Sequence, residues 1–154
     1  MPIEVGDLAP DFTLPDQNHQ PVSLSGFKGA KNALVVFYPL AFSGVCSGEL
    51  AAIRDGLARF QNDAVQVVTI SVDSFFVHKV WAEQEGFDFP LLSDFWPHGA
   101  VAQSYGVFDE QKGSARRGTF LVDTEGVVRW KVVTELGVAR SATDYAAALT
   151  ALTS

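Results

Sequence analysis

Ala33-Leu34-Val35-Val36-Phe37-Tyr38-Pro39-Leu40-Ala41-Phe42-Ser43-Gly44-Val45-Cys46 is the stretch on which the fold turns. Its first six residues are all apolar, which predicts a strand buried on both faces, since a half-wet strand alternates apolar with polar. Pro39 has no backbone N–H to give to a sheet and ends the strand. Beyond the loop, Leu50, Ile53, Leu57 and Phe60 recur at spacings of three, four and three, so a helix is expected over about residues 44–60. Ser43 stands at its N-cap position, and Glu49, Arg54, Asp55 and Arg59 fall on its wetter sides.

The neighbouring segments extend this strand–helix unit. Val65 to Ser71 reads as a second buried strand. Asp73 or Ser74 then caps a helix whose buried face is expected to hold Phe76, Val77, Val80 and Trp81, and which Gly86 ends. Phe87 to Arg117 reads as irregular, with a short helix near Ala100 to Tyr105. Two strands, Gly118 to Val122 and Val127 to Val133, flank the turn Asp123-Thr124-Glu125-Gly126. Ser141 and Asp144 form a capping-box pattern before a last helix with the stripe Tyr145, Ala148, Leu149 and Leu152. Upstream, Phe12-Thr13-Leu14 and Val22-Ser23-Leu24 alternate around the polar turn Asp16 to Gln20, which predicts a hairpin. The order is that of an α/β thioredoxin fold with an N-terminal β-hairpin and an insertion after the second core helix. The first half is a parallel βαβ unit and the second half ends in an antiparallel pair. No stretch reads as a linker, so a single domain over residues 1–154 is expected.

Composition narrows the functional classes. Hydrophobic residues are 47% and charged residues 19% of the 154, enough apolar content for a packed core. A net charge of -7 disfavours nucleic acid and anionic membrane surfaces as partners. Met1 to Pro10 carries Glu4 and Asp7 and lacks the basic start of a signal peptide, and the longest apolar run is too short to span a bilayer, so a cytoplasmic protein is expected. His19, His78 and His98 are scattered without ligand spacing, so neither a metal nor a cofactor is expected, and His78 reads as a surface side chain or one behind the site. Trp81, Trp96, Phe75, Phe76 and Phe95 read as core, or alternatively as a face for a second copy.

Cys46 is the only cysteine, which excludes an intrachain disulfide. A lone cysteine is commonly a small buried hydrophobe. Its place argues otherwise: it follows the first buried strand, in the first turn of the first helix, where open α/β sheets bind ligands and where amide donors and the helix dipole favour a thiolate. Glu49, three residues on, occupies the place of the second cysteine in a dithiol motif, so dithiol exchange is excluded. Its carboxylate either pairs with a cation such as Arg117 or is simply solvated.

Pro39 to Cys46 reads P-x-x-x-S-x-x-C and resembles the peroxiredoxin active-site motif. Arg117-Gly118-Thr119-Phe120-Leu121-Val122-Asp123 resembles a second peroxiredoxin stretch, and Phe89 to Phe108 looks most like the AhpE-type one-cysteine peroxiredoxins of actinobacteria. The resemblance implies a peroxidase in which the Cys46 thiolate attacks a peroxide oxygen and becomes a sulfenic acid. Pro39, Ser43, the Cys46 amide and Arg117 would shape the pocket and serve the two oxygens, with Glu49 and Val45 in support. Ser43 would bridge peroxide and thiolate. Taken singly, Ser43 also reads as an N-cap, Pro39 as a strand stop and Arg117 as a surface arginine. Without a second thiol, the reductant must be external: a mycothiol- or mycoredoxin-like species by resemblance, or a thioredoxin-like protein. The resemblance also implies a homodimer. A redox sensor and an inactive thioredoxin-fold interaction module are the other classes compatible with these residues.

Overall fold

The computed structural model describes residues 3–153, so the first two residues of the Met1–Pro10 stretch lie outside the described residues. The chain begins with a hairpin of β1 (Thr13–Pro15) and β2 (Pro21–Ser23), whose turn is held by the Asp16 carboxylate accepting from the Asn18 and Gln20 amides. Then follow β3 (Asn32–Phe37), α1 (Gly44–Asp55), α2 (Leu57–Phe60), β4 (Val65–Ser71), α3 (Phe75–Glu85) and β5 (Leu91–Ser93). The chain continues through α4 (Ala100–Ser104), the short pair β6 (Phe108–Asp109) and β7 (Ser114–Ala115), β8 (Arg117–Val122), β9 (Val128–Thr134) and α5 (Ala142–Thr153).

Five strands make the central sheet in the order β5-β4-β3-β8-β9. β3, β4 and β5 run parallel, and β8 and β9 run antiparallel to their neighbours. Because side chains alternate along a strand, β3 feeds two cores. Leu34, Val36 and Tyr38 pack with residues of α1, α3 and α5, including Leu50, Ile53, Trp81 and Tyr145. Ala33, Val35 and Phe37 pack on the other face with the β1–β2 hairpin and α4, through Phe12, Leu14, Ala102 and Tyr105. This is the expected α/β thioredoxin-type arrangement, with β3 buried on both faces.

Four expectations need correction. The helix expected over residues 44–60 breaks at Gly56, and Leu57 and Phe60 keep their apolar spacing on the separate turn α2. The stretch after Gly86 is not wholly irregular: β5 joins the sheet edge beside β4. α3 is turned relative to the expected face. Phe76 and Val80 are exposed, and His78, Trp81 and Ala82 are buried. Likewise Phe95 and Trp96 are exposed, Trp96 at 81%, so of the aromatic residues read as core only Trp81 is fully enclosed. The ends of α3 match expectation: the Ser74 hydroxyl accepts from the Val77 amide, and Gly86 takes the left-handed conformation (φ +69°) that closes a helix without a Cβ penalty.

His78 is therefore not a surface side chain. Its Nε2 lies 2.7 Å from the Ser71 hydroxyl and 3.2 Å from that of Tyr38, and burial pushes its pKa down to about 4. The folded chain thus keeps His78 neutral where the unfolded chain takes up a proton near 6.5. The sign follows: this contribution is present in full above the unfolded value and is lost as pH falls towards the folded one. Urea unfolding of the wild type should lose about 2 kcal/mol more stability between about pH 7 and about pH 5 than the His78→Gln variant does. Parallel slopes for the two proteins would contradict this assignment.

Candidate active site

The sheet topology assembles the site. β3 ends at Phe37, and the chain passes through Tyr38 and buried Pro39 into the loop that starts α1. β8 runs antiparallel to β3 with Thr119 opposite Val36, so Arg117, two residues earlier, lies just past the end of β3 and beside the start of α1. Residues two apart on a strand share a face, so Arg117 and Thr119 both point to the side that carries α1 and α5.

Cys46 has no accessible surface. The Arg117 Nη1 donates to its Sγ at 3.2 Å and to Glu49 Oε1 at 2.6 Å, and Arg117 Nε donates to the Leu136 carbonyl. Glu49, placed by sequence on a wetter side of α1, is in fact buried, because two guanidiniums claim it. The second is Arg140. Its backbone N (2.7 Å) and Nε (2.8 Å) donate to Glu49 Oε2, and its Nη2 donates to Oε1 at 2.8 Å. Arg140 Nη1 reaches the Phe37 carbonyl at 2.6 Å and the Thr119 hydroxyl at 3.0 Å. Thr119 is in turn bonded to the Tyr145 hydroxyl at 2.8 Å. Burial works against the Glu49 carboxylate, but the Arg140 hydrogen bonds and charge, with Arg117, outweigh it and hold its pKa below the usual range. Two buried cations against one buried anion leave one positive charge at the sulfur, which a thiolate would neutralise.

The loop in front of Cys46 departs from a simple capped helix. Ser43 has the backbone of an N-cap, yet its hydroxyl donates to the Leu40 carbonyl at 2.8 Å and accepts no bond from the helix amides. The first intrahelical bond runs from the Ser47 amide to the Ser43 carbonyl, so the Cys46 amide is unspent among the described residues. No hydrogen bond joins Ser43 to Cys46. Phe42 holds a left-handed backbone (φ +69°), a costly conformation for a residue with a Cβ, and its half-exposed ring lies 5.7 Å from the Trp81 ring. Val45 is partly buried beside the cysteine. No group of His, Cys, Asp and Glu able to hold a metal ion occurs among the described residues, and no helix there is long and apolar enough to cross a membrane.

Residues 5–131 match the AhpC/TSA family. The chain belongs to that family. It is a peroxiredoxin with a single cysteine. It is 56% identical to alkyl hydroperoxide reductase E of Mycobacterium tuberculosis over 98% of this chain and 99% of that one. Among solved structures, it resembles AhpC of Enterococcus faecalis (TM-score 0.88, 32% identity, covering 99% of this chain and 93% of that one). It also resembles the peroxidoxin BcpB of M. tuberculosis (TM-score 0.87, 33% identity, covering 99% of each).

In this peroxiredoxin, then, Arg117 contacts both Cys46 and Glu49, while Pro39 and Ser43 lie in the loop before α1 and Val45 in its first turn. Arg140 escaped the sequence reading. It precedes the Ser141 cap of α5 and pairs with a residue 91 positions away, so no local pattern exposes it. Arg140→Met should cost about 3–5 kcal/mol in urea unfolding, because it removes the main partner of a buried carboxylate. Arg129→Met, which breaks a pair whose arginine is half-exposed, should cost under about 1 kcal/mol.

Proposed function

We propose that this peroxiredoxin is a one-cysteine thiol peroxidase that reduces hydrogen peroxide and organic hydroperoxides, acting as a single cytoplasmic domain. The observation that carries the reading is the Arg117 guanidinium 3.2 Å from a fully buried Cys46 Sγ at a helix N-terminus. The Cys46 thiolate attacks one peroxide oxygen, the O–O bond breaks, and the other oxygen leaves as hydroxide or alkoxide and takes up a proton. Cys46 becomes a sulfenic acid. Arg117 Nη2, which has no hydrogen bond among the described residues, and the unspent Cys46 amide would donate to the oxygens as charge shifts between them. With its proton given to Leu40, the Ser43 hydroxyl would meet the peroxide as an acceptor rather than bridge it to the thiolate. Pro39 closes the pocket without adding a donor, and Val45 lines the approach.

With one cysteine in the chain, an external thiol reduces the sulfenic acid. A mycothiol- or mycoredoxin-like reductant is our first choice, given the mycobacterial relative whose name denotes alkyl hydroperoxide reduction, and a thioredoxin-like one the second. A homodimer is the assembly that best explains the exposed Phe42, Phe76, Val80, Phe95 and Trp96, which follow the C-terminal ends of β3, β4 and β5.

Stopped-flow mixing of the reduced protein with peroxide should give a phase whose rate is linear in peroxide. Cys46→Ser should abolish it, and Arg117→Lys, which keeps the charge but loses the fork, should slow it about ten- to a hundred-fold. Oxidation no faster than that of a free thiol would sink the peroxidase reading. Excess peroxide without reductant should add two oxygens to Cys46, read by intact mass. Sedimentation should show a wild-type dimer and a Trp96→Glu monomer.

A further inference from the structure

The loop that carries Pro39 and Ser43 is fastened at two points to one corner of the fold, where β4 passes into α3. At its middle the Ala41 amide donates to Asp73 Oδ2 at 2.8 Å. At its near end the Tyr38 hydroxyl lies 3.2 Å from His78 Nε2. A hydrogen-bonded chain joins the two attachments: the Ser71 hydroxyl donates to the same Asp73 oxygen at 2.6 Å, and His78 Nε2 meets the Ser71 oxygen at 2.7 Å. Ser71 has one proton and spends it on Asp73, so His78 must donate from Nε2, which leaves its buried Nδ1 as the bare nitrogen without a partner among the described residues. The corner is itself anchored, with the Asp73 carbonyl accepting from the Ser93 hydroxyl at 2.7 Å. Just past the Ala41 attachment the loop does not rest in a relaxed shape, because Phe42 is held at φ +69°.

Peroxide chemistry and its reversal ask opposite things of this loop. Oxidation needs Pro39, Ser43 and the Cys46 amide held in place around a small substrate. Both steps must reach a sulfur that has no accessible surface, and an external thiol, bulkier than a peroxide, needs the loop to open wider. Resting on the peroxidase reading above, we propose that Asp73 is a positioning residue, the staple that holds the Leu40–Ser43 loop closed for oxidation and whose release admits the external thiol to the Cys46 sulfenic acid. In that second step the incoming sulfur bonds to the Cys46 sulfur and the S–O bond breaks. The departing hydroxide takes the thiol's proton as water, leaving a mixed disulfide.

The test measures two rates on the same variants: oxidation of reduced protein by hydrogen peroxide, and consumption of the coloured thiol 5-thio-2-nitrobenzoate by protein oxidised with one equivalent of peroxide. Asp73→Ala should slow the first about ten-fold and speed the second about ten-fold. Asp73→Asn can still accept from Ala41 and Ser71, and should return both rates to within about three-fold of wild type. Val128→Ala, a core truncation on the other face of the sheet, should leave both unchanged. If Asp73→Ala does not fold, Ser71→Ala, which removes the carboxylate's other donor, must move the two rates in opposite directions by about three-fold. Rates that fall together, rates that do not move, or an Asp73→Asn variant as impaired as Asp73→Ala would overturn the staple while leaving the peroxidase reading intact. A wild type that reacts with peroxide no faster than a free thiol would instead overturn that reading and the staple with it.

Discussion

One buried carboxylate organises the molecule around Cys46. Glu49 accepts four hydrogen bonds from Arg117 and Arg140, and those two arginines reach it from β8 and from the turn that precedes α5. Arg140 adds a bond to the Phe37 carbonyl at the end of β3. Three elements that meet nowhere in sequence are thereby tied within one helical turn of the sulfur. Burying three charges is expensive, and the arrangement holds only because each ion has partners on more than one side. The surplus positive charge lies against the Cys46 sulfur, where it would favour a thiolate once the thiol has given up its proton.

Much of the fold was legible in the sequence because β3 and β4, at the centre of the sheet, are buried on both faces, β3 as an unbroken apolar run and β4 as a mostly apolar one. β4 spans the expected residues, β8 begins one residue earlier than expected, and β3 and β9 are each shifted by one residue at both ends. What escaped has particular causes. β5 has only three residues and follows a proline, too short for a periodic signal. α3 carries apolar residues on most of its circumference, so spacing could not choose its inner face, and the polar ties of His78 to β3 and β4 chose it instead. Gly56 interrupts a helix without interrupting its hydrophobic stripe, so the stripe concealed the break.

The candidate site was half legible. A cysteine at the start of a helix, after a buried strand and a proline, has a sequence signature, and so does the arginine that opens β8. Glu49 lies on the same helix, three residues from Cys46, but its burial depends on Arg140, which enters only through tertiary structure. Ser43 shows the reverse: it occupies the cap position that its residue type favours, yet its hydroxyl turns back to Leu40 and leaves the Cys46 amide unspent among the described residues. A local rule broken at this spot is the kind of departure that accompanies a functional site.

The sulfur's complete enclosure carries a consequence for how this protein is seen by chemists. Alkylating reagents used to count reactive thiols are bulkier than a peroxide, so they need a wider opening of the structure to reach a sulfur without accessible surface. The reduced protein would therefore be under-labelled in proteome-wide thiol surveys, and most of all under native conditions. In such inventories reactivity towards an oxidant and visibility to a probe part company, and a low labelling yield at Cys46 would report the size of the reagent rather than the strength of the nucleophile.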